Sequence, residues 1–198
     1  MKLNTPNKLT IARILITPIY LALILWASLP HRFLIATLVY SIAAITDAID
    51  GKLARKNNQI TNFGKLLDPI ADKILTTSAL LAFMQMGLCN IWIVMIVLTR
   101  EYTVSSIRMI AAADGVVIPA NIWGKLKTVS QMTFTIVIML LGECYQYLPQ
   151  RFYPGVTCPD WLTLANISNT LLWITAVLTV VSGVIYVLDS KKVIDYTK

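Results

Sequence analysis

At 198 residues, with 57% hydrophobic and only 14% charged side chains and a mean hydropathy of +0.68, the chain is too apolar for an ordinary soluble domain. Lys and Arg outnumber Asp and Glu 17 to 10, but the basic residues are scattered through juxtamembrane positions and no soluble stretch exists to form a nucleic-acid face. Anionic membrane lipids and phosphorylated substrates are therefore the expected partners, and nucleic acid is excluded. Charge-poor runs of bilayer length number about six, so the expectation is one all-α membrane domain over 1–198: six transmembrane helices and a short N-terminal interfacial helix.

Residues 1–13 are polar and basic, and Thr5-Pro6 reads as an N-cap followed by proline at the first helical position, so the interfacial helix is placed there. The first span is expected over 14–29, with Trp26 as an interfacial aromatic and Pro30, His31 and Arg32 in the turn. No small-residue cleavage site follows this run, which is therefore expected to persist as an anchor. His31, the single histidine, reads as a turn residue. The second span begins at Phe33, and the residues up to Thr46 rise only ~21 Å into a hydrocarbon core of ~30 Å, so the acids that follow should lie somewhat below the headgroup plane.

The third span is expected over 65–86 and the fourth over 91–113, joined by a tight turn at 87–90. Arg100, Glu101 and Arg108 interrupt the fourth, and charges at that depth are functional candidates because exposing them to lipid costs several kcal/mol. Arg100 lies within about 80° of Arg108 on the helical wheel, so both can face one polar cavity. The alternative is an internal pair with Glu101 that ties helices together. Beyond a loop at 114–122, Lys125 and Lys127 open a fifth span that should end near Leu141. Pro149, Pro154 and Pro159 mark 143–160 as an irregular outer loop. The sixth span, 162–188, carries no charge and is expected to serve in packing or dimer contact. Cys89, Cys144 and Cys158 show no metal spacing, and the last two could pair if both face an oxidising space. One side of this plan carries only Arg32 and Arg151 among the Lys and Arg residues, which puts both termini and the 47–72 segment in the cytosol.

That segment, DAIDGKLARKNNQITNFGKLLDPIAD, sets four carboxylates in otherwise membrane-grade sequence. At about 100° per residue, Asp47, Asp50, Gly51, Ala54 and Arg55 fall within an arc of roughly 140° on one helix, while Gly64 and Asp72 lie within about 40° on either side of Asp68 on the next. Two antiparallel helices joined by the short polar turn between them can point all four acids at each other. Such carboxylates repel unless divalent cations neutralise them. An oxygen-only donor set favours Mg²⁺ or Mn²⁺ over zinc, and four acids suffice for two ions. Gly51 and Gly64 remove side chains where a ligand or facing backbone must approach. The competing reading has these acids solvated at helix ends, paired with Lys52, Lys65 and Lys73, which leaves the shared faces unexplained.

The pattern D-x-x-D-G-x-x-A-R, eight residues, then G-x-x-x-D-x-x-x-D, carried by Asp47, Asp50, Gly51, Ala54, Arg55, Gly64, Asp68 and Asp72, resembles the motif of the CDP-alcohol phosphotransferase family with no departure. That resemblance implies a six-span membrane enzyme, usually a homodimer, which moves a phosphoryl-linked group from a CDP-activated donor to an alcohol and releases CMP. It implies that Asp47 and Asp68 touch both metal ions, Asp50 one and Asp72 the other, with Asp72 also the general base. Gly51, Ala54, Arg55, Thr61 and Gly64 match positions at the CDP moiety.

Three further stretches are similar to the phosphatidylglycerophosphate synthase branch of the family: P-N-K-L-T-x-x-R with Pro6, Asn7, Thr10 and Arg13; R-E-Y at 100–102; and G-K-x-K-T-x-x-Q-M at 124–132. The first implies that Thr10 and Arg13 border the nucleotide. Glycerol 3-phosphate is a dianion that needs several cations, here Arg100, Arg108, Lys125 and Lys127, whereas choline or ethanolamine would be repelled by them. The expected reaction is therefore CDP-diacylglycerol plus glycerol 3-phosphate giving phosphatidylglycerophosphate and CMP, at a bacterial inner membrane. Inositol phosphate or phosphatidylglycerol as acceptor, and a non-enzymatic divalent-cation carrier, are the alternatives.

Overall fold

The computed structural model describes residues 5–56, 62–113, 121–152 and 163–190, and within them the side chains other than 5–6, 47–56, 62–69, 72, 113 and 148–152. The described residues are helical, with no strand: α1 (Thr5–Leu25), α2 (Arg32–Lys56), α3 (Asn62–Gln85), α4 (Ile91–Ala113), α5 (Ile122–Phe152) and α6 (Leu164–Ser190). Neighbours touch in the order α1, α2, α5, α6, α4, α3 and back to α1, with a lighter contact of α2 on α3. The bundle is thus a closed ring in which α1 leans on both helices that carry the acidic motif.

Long apolar side chains point outward as well as inward. Leu15, Ile19, Leu38, Ile42, Met95 and Val177 are all more than half exposed, a surface that lipid tails cover and water does not. Residues 7–25, 122–147 and 164–190 are long and apolar enough to cross a bilayer, and 32–46 is a shorter apolar helix. In α4 every window of spanning length contains Arg100, Glu101 and Arg108. The protein is a helical membrane protein.

Inside the ring, Tyr20 of α1 and Tyr40 of α2 meet with ring centroids 5.5 Å apart, and the Tyr20 hydroxyl donates to the Met139 sulfur of α5 at 3.6 Å. Ala36, Ala43, Ala79 and Ala82 are fully buried, small residues that let backbones approach where no hydrophobic gradient drives helices together. Gly142 does the same for α5 against α2, since a Cβ there would sit 2.8 Å from the Phe33 ring. Gly142→Ala is expected to cost about 1–3 kcal/mol by overpacking and to lower the melting temperature in detergent, whereas Leu140→Ala on the lipid side changes it little.

The turn at 87–90 is as tight as its length required. Gly87 adopts φ +73°, the Leu88 N–H donates to the Phe83 carbonyl at 2.8 Å and the Gly87 N–H to Met84 at 3.1 Å, the paired bonds of a Schellman end. Asn90 then caps α4 by accepting the Trp92 N–H at 3.0 Å. α6 secures this turn, because Asn169 accepts the Asn90 N–H at 2.9 Å and Ser168 donates to the Leu88 carbonyl at 2.6 Å. Burial beside it pushes the Cys89 thiol up to about 12, so it stays protonated.

Two boundaries differ from the sequence expectation. α1 runs from Thr5 to Leu25, continuing through Pro18, so residues 5–13 are its first turns and no separate interfacial helix stands among the described residues. α5 continues about three turns past Leu141, to Phe152, where an irregular loop was expected. Its far end is fastened to the start of α2: the Glu143 carboxylate takes the His31 ring and the Leu34 N–H, and Tyr147 stacks on His31 and accepts its backbone N–H at 2.9 Å. His31, at φ 54°, is a turn residue as expected. Cys144 is a free thiol; Cys158, the partner considered for it, lies outside the described residues.

Candidate active site

The acidic motif occupies the facing ends of consecutive helices. Asp47 and Asp50 fall in the last three turns of α2, and Asp68 and Asp72 in the first three of α3. The helical register that the spacing required is present in both backbones. The side chains of these four residues, and those of Gly51, Ala54, Arg55 and Gly64, lie outside the described set, as does Thr61 altogether.

What surrounds the motif is described. Asn7, Thr10, Arg13 and Thr17 recur at helical spacing and are all buried, Thr10 and Arg13 to 2% exposure. They form a polar stripe on α1, the helix packed on both α2 and α3, and Asn7, Thr10 and Arg13 each have a bonded partner. Lys8, one residue off that stripe, is exposed. A guanidinium so deep is not a membrane-surface charge, because burial without a polar counterpart is prohibitive. Asn7 belongs to the stripe too; only its spacing from Thr10 signalled it.

Further along the bundle, α3, α4 and α5 bring cations to a single residue. Glu101 Oε1 accepts from Arg100 Nη1 at 2.9 Å and from Lys127 Nζ at 2.8 Å, while the Glu101 carbonyl accepts from Lys73 Nζ at 3.2 Å. Lys73 also donates to the Ser105 hydroxyl and lies 5.7 Å from the Tyr102 ring centre. The Lys127 side chain is 4% exposed and that of Arg100 14%. Arg100 is seated by α6: Nη2 donates to Ser182 Oγ at 2.6 Å, and a Cβ at Gly183 would stand 2.9 Å from Arg100 Cγ.

The four cations expected at one anion therefore divide. Arg100 and Lys127 converge, joined through Glu101. Arg108 lies about two turns further along α4; it is exposed, with its guanidinium 5.9 Å from the Tyr186 ring centre. Lys125 is exposed, because residues two apart on a helix point in roughly opposite directions. Lys73 and Ser182 were missed: the first reads as a flank of Asp72, the second sits in an uncharged span. Among the described residues no three His, Cys, Asp or Glu side chains form a cation-binding group. The four aspartates of the motif fall on two adjoining helices by backbone register.

Comparison with known proteins bears on the family. The protein named CDP-diacylglycerol--glycerol-3-phosphate 3-phosphatidyltransferase in Bacillus subtilis (strain 168) is 35% identical over 191 residues, covering 91% of each chain. Those of the same name in Rickettsia bellii (strain RML369-C) and Haemophilus influenzae (strain ATCC 51907 / DSM 11121 / KW20 / Rd) are 34% and 33% identical, covering 96% of this chain and 96% and 95% of theirs. The sequence profile of the CDP-alcohol phosphatidyltransferases matches residues 3–181, and the chain, a membrane-embedded transferase, belongs to that family.

Proposed function

We propose that the protein transfers the phosphatidyl group of CDP-diacylglycerol to glycerol 3-phosphate, releasing CMP and phosphatidylglycerophosphate. The observation that carries the acceptor assignment is the convergence of Arg100 and Lys127 on the bundle interior, in a chain whose relatives bear a name specifying that acceptor. Asp47, Asp50, Asp68 and Asp72 would hold two divalent cations, Mg²⁺ or Mn²⁺, which when bound neutralise charge on the donor pyrophosphate and on departing CMP.

The chain's own groups do the rest. Thr10 and Arg13 on the buried stripe of α1, with Gly51, Ala54, Arg55, Thr61 and Gly64, hold the CDP end of the donor. Arg100 and Lys127, assisted by Arg108, bind the acceptor phosphate and so fix its free hydroxyl for in-line attack, while the exposed Lys125 draws the anion toward the site. Asp72 takes the proton of that hydroxyl as the new phosphoester bond forms. The site opens to the cytosolic leaflet of a bacterial inner membrane, both termini share that side, and the working unit is a homodimer.

Purified protein supplied with labelled CDP-diacylglycerol, Mg²⁺ and one acceptor at a time tests this. CMP release is expected with glycerol 3-phosphate and not with inositol phosphate, phosphatidylglycerol or glycerol. Turnover confined to an uncharged alcohol would reject the assignment.

A further inference from the structure

Taking Arg100 and Lys127 as the ligands of the acceptor phosphate, we infer that Glu101 is the positioning residue of that subsite: its carboxylate, not the incoming acceptor, sets where the two cations stand. The inference rests on the acceptor reading above and adds a residue to it.

Three features of the cluster support this. First, one carboxylate oxygen serves two cations from different helices, Arg100 Nη1 at 2.9 Å and Lys127 Nζ at 2.8 Å. A tie between α4 and α5 needs only one of them. Among the described residues, the trio of Arg100, Lys127 and Glu101 carries a net positive charge on side chains 4% to 22% exposed, an imbalance that a further anion relieves and that a purely structural pair would not carry.

Second, α6 holds the arginine from another side. Ser182 takes Nη2 at 2.6 Å, and the missing side chain of Gly183 admits the Arg100 stem. An arginine so enclosed loses little further freedom on meeting a ligand, which is what preorganisation requires.

Third, donors are left over. Each Nη nitrogen carries a second hydrogen, Lys127 carries two beyond the one given to Glu101, and Arg100 Nε is buried with no partner among the described residues. Glu101 thus uses one donor from each cation and leaves the others for a tetrahedral anion.

Steady-state kinetics of the full-length protein against glycerol 3-phosphate provide the test. Glu101→Gln keeps the size of the side chain and removes its charge. The expected result is a KM for glycerol 3-phosphate raised by at least about tenfold with kcat held within about threefold, an unchanged KM for CDP-diacylglycerol, and inorganic phosphate weakened as a competitive inhibitor by the same factor as the acceptor. Glu101→Asp should recover part of the loss. A cooperative thermal transition in detergent establishes that the variant is folded. A folded Glu101→Gln protein with KM within about twofold of the parent, or with kcat lowered and KM unchanged, overturns the inference.

If Glu101→Gln does not fold, Glu101→Asp decides instead. Drawing the carboxylate back by one methylene should raise the acceptor KM about threefold or more at constant kcat, and an unchanged value overturns the inference. Parent protein that accepts no phosphomonoester at all overturns the acceptor reading itself, and this inference with it. Parent turnover alongside unaffected variants removes this inference alone.

Discussion

Asp68→Asn is expected to lower turnover by roughly two to four orders of magnitude while making the metal-free protein more stable than its parent. The first half follows from the role proposed for the acids. Asparagine keeps the shape of aspartate but loses the charge that holds a divalent ion and, at Asp72, the lone pair that takes a proton, a contribution of about 10²–10⁴. Asp47→Asn, Asp50→Asn and Asp72→Asn should fall in the same range, and excess chelator should silence the parent.

The second half follows from register. Asp47 and Asp50 lie one turn apart on α2, Asp68 and Asp72 one turn apart on α3, and these helices touch. If the four acids face one another as proposed, they repel without cations, and neutralising one relieves about 1–2 kcal/mol of that strain. Thermal unfolding with chelator and with Mg²⁺ reads both effects. Metal should raise the melting temperature of the parent more than that of Asp68→Asn. A variant less stable than the parent in chelator, with activity retained in Mg²⁺, would show the acids to be helix-end residues.

Much of this architecture is legible in the chain because its signals are local. The fourth helix was expected over 91–113, as found, since Asn90 supplies a cap and the apolar run is continuous with it. The acidic motif announces itself through residue type and spacing. Boundaries set by distant partners were not legible. Pro149 suggested a loop, yet α5 persists because Glu143 and Tyr147 find His31 and Leu34 across the bundle. The same holds for α6, which carries no charge and read as packing. Its Ser182 and Gly183 acquire a role only once α4 lies against them and delivers Arg100. Arg13 and Lys8 look alike in a basic N-terminal segment, and the rotation of α1 against α2 and α3 separates them. Tertiary contact fixed that rotation.

The rotation of α5 yields the second large effect. Lys127→Met should raise the KM for glycerol 3-phosphate by about 10–100-fold, whereas Lys125→Met should change it by less than about threefold. Both lysines open the same helix and match the same family stretch, so sequence alone gives them equal weight. The structure does not: Lys127 is buried with its ammonium on Glu101, and Lys125 is exposed. Charge-assisted bonds in a water-poor site contribute about 1.5–3 kcal/mol, which is the tenfold to hundredfold range, while an exposed cation is screened and acts mainly on encounter. Methionine suits the test because it keeps an unbranched apolar stem of similar length, so packing along α5 is disturbed little. Raising ionic strength separates the two further. The contribution of Lys125 should fade as salt rises, and that of Lys127 should persist, since buried pairs are screened far less. Equal losses in both variants, fading together with salt, would place the acceptor at the outer end of α5 and away from Glu101.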